Sequence, residues 1–155
     1  MAGRIDARLV ELGITLPQIA VPAANYIPYT LENDTLYISG QMPFWNGELM
    51  HIGKVGANYS LDDAFQAARI CGLNIITQAK AALSDDLDRV RRIAKVGGFV
   101  NAVPEFGHHP EVINGASNLF VEIFGDAGKH TRFAVGAGSL PRGAVVEIEA
   151  VIIID

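Results

Sequence analysis

The sequence predicts an α+β fold in which two long helices lie on one face of a mixed sheet, and three observations carry that reading. Apolar residues recur at helical spacing in two stretches, one after Ser60 and one from Pro110, each with its own start and stop signal. Around them the pattern changes to the two-residue alternation of strands, giving the order ββ(β)αβαββ without an internal repeat, linker or low-complexity segment. The closing strand is largely apolar on both sides, with Val145, Glu147, Glu149 and Val151 on one face and Val146, Ile148, Ala150 and Ile152 on the other. Helices can cover only one of these faces, so the second needs another subunit or a closed barrel.

The elements follow in order. A short amphipathic helix at about 4–12 places Ile5, Leu9 and Leu12 on one side, and Gly13 stops it. From Tyr26 to Pro43 the chain reads as two extended runs around the turn-forming Glu32-Asn33-Asp34, with a break at Gly40. Asn46-Gly47 signals a further hairpin, because both residues tolerate the positive φ of a tight turn. Ser60 caps the first long helix, with Asp63 three residues on. Phe65, Ala68, Gly72, Ile75, Ile76, Ala79 and Leu83 form its apolar stripe. Residues 90–102 are a strand whose alternation sends Arg92 to one face and Arg91 with Lys95 to the other. Pro110 starts the second long helix, which carries Ile113, Ala116, Phe120 and Phe124 on one side and ends at Gly125. Two strands, about 131–140 and 144–154, joined at Leu140-Pro141-Arg142-Gly143, complete the chain.

A chain of 155 residues is one domain, 1–155, long enough to bury a core without a disulfide or structural metal. The first residues are of mixed charge and no run of about 20 apolar residues follows, so a soluble, unexported, cytoplasmic protein without a membrane partner is expected. Cys71 stands alone and falls in a helical pattern, the setting of a buried core thiol. A net charge of −5 argues against a general nucleic-acid partner, which needs clustered Lys and Arg, and the one basic cluster, Arg89 to Lys95, is short. Half of the residues are hydrophobic, an excess that a monomer of this size hides in a partner.

Charged residues inside the apolar C-terminal strands must be paired, solvated or used. Arg132 presents a planar, permanently charged fork suited to a small organic acid, and Glu147 could take a proton from water. The alternatives are a structural pair between Arg132 and a glutamate, or Glu147 and Glu149 simply facing solvent. His108 and His109 lack a third ligand at recognisable spacing, Gly136-Ala137-Gly138 lacks the helix and lysine of a phosphate loop, and no serine stands in a nucleophile elbow. Nothing asks for a metal, a nucleotide or any other cofactor.

In order and spacing, "LYISGQMP" (36–43), the "GKVG" strand (53–56), the helix "AARICGLNIITQAKAAL" (67–83), "VVEIEA" (145–150) and an arginine fifteen positions before the first glutamate of that motif resemble the RidA/YjgF family of reactive-intermediate imine deaminases. The resemblance runs from about Tyr26 to the end. It implies a homotrimer of the chorismate-mutase-like fold, with a central barrel, helices outside, and sites in the clefts between subunits. It also implies hydrolysis of 2-imino acids, or their 2-enamine tautomers, to 2-keto acids and ammonia without a cofactor. Position by position, Arg132 matches the arginine that grips the substrate carboxylate and Glu147 the glutamate that orients or activates water. Ser39 and Gly40 match residues lining the cleft, and Tyr26 the tyrosine that closes it from the neighbouring subunit. Ala134 stands where relatives often carry a cysteine, leaving its backbone N–H to donate. The family asparagine of the second helix aligns with Ser117, while Asn114 lies one turn earlier on the same face. A non-catalytic carboxylate-binding trimer is the second functional reading, and the ribonuclease label some relatives carry is the third, disfavoured by the acidic charge.

Overall fold

The structure, a computed structural model describing residues 3–19 and 25–155, opens with α1 (Arg4–Glu11), whose first N–H groups are capped from far along the chain. Asp88 accepts hydrogen bonds from the Arg4 and Ile5 N–H groups, each at 2.8 Å. Ile5 and Leu9 are buried, and Asp6 pairs with Lys80 at 2.8 Å. Strands β1 (Tyr29–Glu32) and β2 (Thr35–Gln41) form a hairpin around Asn33-Asp34. The short ribbon β3 (Phe44–Trp45) and β4 (Glu48–Leu49) turns at Asn46 and Gly47, with φ of 50° and 89°, the positive angles expected of this pair.

α2 (Leu61–Ala82) starts at Ser60, whose hydroxyl accepts from the Asp63 N–H at 3.1 Å. A 3-10 turn, Leu87–Arg89, leads into β5 (Val90–Asn101). α3 (His109–Phe124) has Pro110 in its first turn and ends at Gly125, with φ of 61°. It crosses over to β6 (Thr131–Ala137), and the chain closes with β7 (Val146–Ile154). The sheet order is β1-β2-β7-β5-β6, and only β5 and β6, joined through α3, run parallel. The last two strands are thus not neighbours, because β5 lies between them.

Both long helices cover one sheet face. Val96, Val100, Val146, Ile148, Ala150 and Ile152 are buried beneath them. The opposite face carries Phe99, Phe133, Glu147, Glu149, Val151 and Ile153. The crossing of α2 and α3 depends on Gly115, where a Cβ would lie 2.1 Å from the Phe65 carbonyl oxygen. Gly115→Ala is therefore expected to cost about 3 kcal/mol and to lower the unfolding midpoint by roughly 10 °C. Thermal unfolding of the variant checks this, and a shift of under 2 °C would show that the helices separate freely.

Three expectations change. Bulges between Val90 and Arg92 and between Ile93 and Lys95 shift the β5 register, so Arg92 opposite Ile153 and Lys95 opposite Val151 share the uncovered face instead of dividing between faces. The 53–56 stretch is not a strand: Val55 makes isolated bridges within a loop. α2 is buried well beyond one stripe, Asn74 and Gln78 included, because the chain around Pro17 and the β3–β4 ribbon lie against it. Thr77 donates to the Pro17 carbonyl at 3.2 Å, and Asn74 to that of Phe44 at 2.7 Å. Cys71 is buried, its thiol pushed well above the usual range by burial and less by the Glu147 charge. No described helix is long and apolar enough to cross a membrane.

Candidate functional site

Two clusters of polar groups form on opposite faces of the sheet. On the uncovered face, β2 breaks register against β7 between Ile38 and Gln41, leaving Ser39 and Gly40 opposite a single residue. Both the Ser39 N–H and its hydroxyl donate to the Pro28 carbonyl, at 2.9 and 3.1 Å, which pins the bulge. A Cβ on Gly40 would sit 3.0 Å from the Glu147 carboxyl carbon, so glycine leaves that carboxylate its room. The result is a pocket of about 350 Å³ lined by Tyr26, Ser39, Gly40, Phe99, Glu147 and Glu149.

Among the described residues neither glutamate has an ion-pair partner. Burial raises the Glu147 pKa above its ordinary value, and the Glu149 charge raises it further. A carboxylate so placed is a stronger base than a solvated one.

On the helix-covered side, Arg132 pairs with Val96 across β6 and β5, and its side chain reaches α3. Its Nη1 donates to Asn114 Oδ1 at 2.8 Å and to Ser117 Oγ at 3.1 Å. Those two bonds use both Nη1 hydrogens and leave the Nε and Nη2 edge, the geometry that takes a carboxylate in two parallel bonds. Behind Ser117 stands His130. Its Nδ1–H donates to the Gly128 carbonyl at 2.6 Å, which leaves Nε2 to accept from the Ser117 hydroxyl at 2.8 Å. Burial lowers the His130 pKa; the Gly128 bond opposes this and the Arg132 charge reinforces it, so the neutral ring is favoured. Its edge-on contact with Phe120, at 5.9 Å between ring centres, holds it in place.

Of the residues singled out in the sequence, Tyr26, Ser39, Gly40 and Glu147 share one pocket, while Arg132 and Ala134 lie on the other face beside Asn114 and Ser117. One chain does not bring Arg132 and Glu147 together. Asn114 and Ser117 both brace the guanidinium, so neither displaces the other. Sequence reading missed His130, although its position two residues before Arg132 places it on the same side of an extended chain. It also missed the polar pair Gln41 and Gln78, which only the all-round burial of the middle of α2, residues 71–76, makes notable. Among the described residues no group of three or more His, Cys, Asp or Glu side chains could hold a metal ion.

Residues 6–150 match the family described as "YjgF/chorismate_mutase-like, putative endoribonuclease". The chain is 43% identical to protein TCP17 of Trypanosoma cruzi over 97% of its length and 94% of the relative's. Among solved structures it is similar to Atu1372 of Agrobacterium tumefaciens, a protein of unknown function, with 48% identity, a TM-score of 0.91, and coverage of 97% of this chain and 92% of the other. It is also similar to a "putative endoribonuclease" of Shewanella oneidensis, with 33% identity, a TM-score of 0.93, and coverage of 98% and 100%. By the span of the family match and these identities, the chain belongs to the YjgF/chorismate mutase-like family, the group also called RidA/YjgF.

Proposed function

We propose that the protein hydrolyses 2-imino acids to 2-keto acids and ammonia at sites shared between copies of the chain, in a homotrimer. The observation that carries the reading is the guanidinium of Arg132, clamped through Nη1 with its bidentate edge left for a carboxylate. The substrate carboxylate binds there. The neighbouring copy supplies the Glu147 pocket, which meets the C=N carbon. Water hydrogen-bonded to Glu147 attacks that carbon, its oxygen forms the new C–O bond, and its proton passes to the carboxylate. The C=N electron pair moves to nitrogen, Glu147 returns the proton there, and a carbinolamine results. The hydroxyl proton then passes through Glu147 to the amine as the C=O closes, and the C–N bond breaks with its electron pair on the departing ammonia. Imine hydrolysis needs little beyond anchoring, a placed water and proton transfer, and these groups supply all three.

The uncovered sheet face supports assembly, since Phe99, Phe133, Val151 and Ile153 otherwise lie without helices above them. Arg132→Ala and Glu147→Gln proteins should each be nearly inactive. Co-refolded in equal amounts they should recover about a quarter of wild-type activity, the share of sites pairing an intact Arg132 with an intact Glu147 from the next copy. Ammonia release from imines made in situ by an amino-acid oxidase reads this out. Activity no greater than that of either parent would sink the shared-site mechanism.

A further inference from the structure

The polar contacts behind Arg132 run in one direction, and His130 sets it. A carbonyl oxygen only accepts, so the contact with Gly128 keeps the proton of the neutral His130 ring on Nδ1. Nε2 is left as an acceptor, and at 2.8 Å it takes the only hydrogen of the Ser117 hydroxyl. Ser117 therefore turns nothing but lone pairs toward Arg132, whose Nη1 donates to one of them at 3.1 Å. Were that hydrogen released, the hydroxyl would be free to rotate until donor faced donor, and the clamp on Nη1 would rest on Asn114 alone.

The other end of the row is fixed backbone. Gly128 packs so closely against α3 that a Cβ there would lie 2.2 Å from the Phe120 carbonyl oxygen. To either side of His130, the Lys129 carbonyl accepts from Arg92 at 3.3 Å and the Thr131 hydroxyl donates to the Ala94 carbonyl at 2.8 Å, which ties the turn to β5. Neither His130 nor Arg132 has an ion-pair partner among the described residues. Beyond its own turn, the His130 ring nitrogens meet, among those residues, only the serine that braces the guanidinium.

We infer that His130 is a positioning residue for the carboxylate anchor: by holding the Ser117 hydrogen it keeps Ser117 an acceptor, and so fixes the plane in which the Arg132 guanidinium meets the substrate. The inference rests on the imine-hydrolase reading above. His130 itself touches no substrate. The carboxylate stays on Arg132 from binding through the transition state, so the contribution of His130 belongs in KM and not in kcat.

The test has a wild-type arm and a variant arm. Nitrogen NMR of isotope-labelled wild type at neutral pH should find His130 as the Nδ1–H tautomer, its signal identified by its loss in His130→Gln. An Nε2–H ring would reverse the row and overturn the inference. Among variants, His130→Asn keeps a donor for Gly128 but is too short to reach Ser117, and His130→Phe keeps the ring without its nitrogens. Two such variants guard against one failing to fold. Each should raise KM for imines generated in situ by about tenfold with kcat within about twofold, and weaken calorimetric binding of the stable keto acid 2-oxobutanoate to the same degree. His130→Gln, whose Oε1 takes the place of Nε2, should restore most of the loss. In a Ser117→Ala background the His130 variants should add nothing. Unchanged KM and binding in a folded variant, a fall in kcat with KM unmoved, or a further loss on top of Ser117→Ala overturns the positioning role and leaves the hydrolase reading standing. Keto-acid binding that depends on His130, without turnover of any imine, supports the role and overturns the hydrolase. Neither turnover nor binding by the wild type overturns both.

Discussion

Replacing Arg132 by alanine is expected to lower kcat/KM for every 2-imino acid by about a thousandfold. The substrate carboxylate loses a charge-assisted bidentate contact, a loss of the order of 4 kcal/mol, at about 1.4 kcal/mol per decade of rate. The fold should persist, because Ser117 keeps its bond to His130 and Asn114 is only half-buried. Arg132→Lys separates charge from shape: it restores the cation but not the planar fork, so activity should lie between the two. Steady-state rates over a panel of imines, with size-exclusion and thermal unfolding as controls, decide the matter. Wild-type rates in a folded Arg132→Ala protein would remove the carboxylate anchor from the mechanism.

The second large effect concerns Glu147. Glu147→Gln should lower kcat by between about a hundredfold and ten-thousandfold, the range for losing a positioned base. The pH profile carries more information. A base works ionised, and burial with the Glu149 charge raises the Glu147 pKa above its ordinary 4.5. Activity should therefore fall on acidification at a higher pH than a solvated glutamate would give. Glu149→Gln removes the repelling neighbour, so the acid limb should move to lower pH while much of the displacement, due to burial, stays. A limb unmoved in that variant, or moved upward, would show that another group sets it. The same shift has a stability sign. Folding favours the protonated carboxyl, so the ionised form costs stability, a cost absent below the unfolded pKa and complete above the folded one.

Much of the architecture was legible because local chemistry agrees with it. Ser60, Pro110 and Gly125 mark helix ends, Asn46-Gly47 marks a hairpin, and the apolar period separates helices from strands. The β5 bulges were not legible. Nothing in Val90 to Lys95 announces an extra residue, and each slip exchanges the faces of the residues beyond it. Arg132 and Glu147 stood out as charges in apolar strands, yet their placement on opposite faces follows from sheet order and register, which are long-range properties. Gln78 stayed hidden for a related reason: a glutamine on a helix reads as a solvated position until other segments close over it.

The cap on α1 bears on how the chain reaches this state. A helix of eight residues is too short to persist alone, since nucleation costs more than so few internal bonds return. Here its first N–H groups bond Asp88, more than eighty residues away, and its buried face meets α3 and the turn entering β5. Helix α1, although earlier in the sequence than its partners, therefore becomes ordered only after the middle of the domain has been made and has docked. The start of the chain is among the last parts to fold.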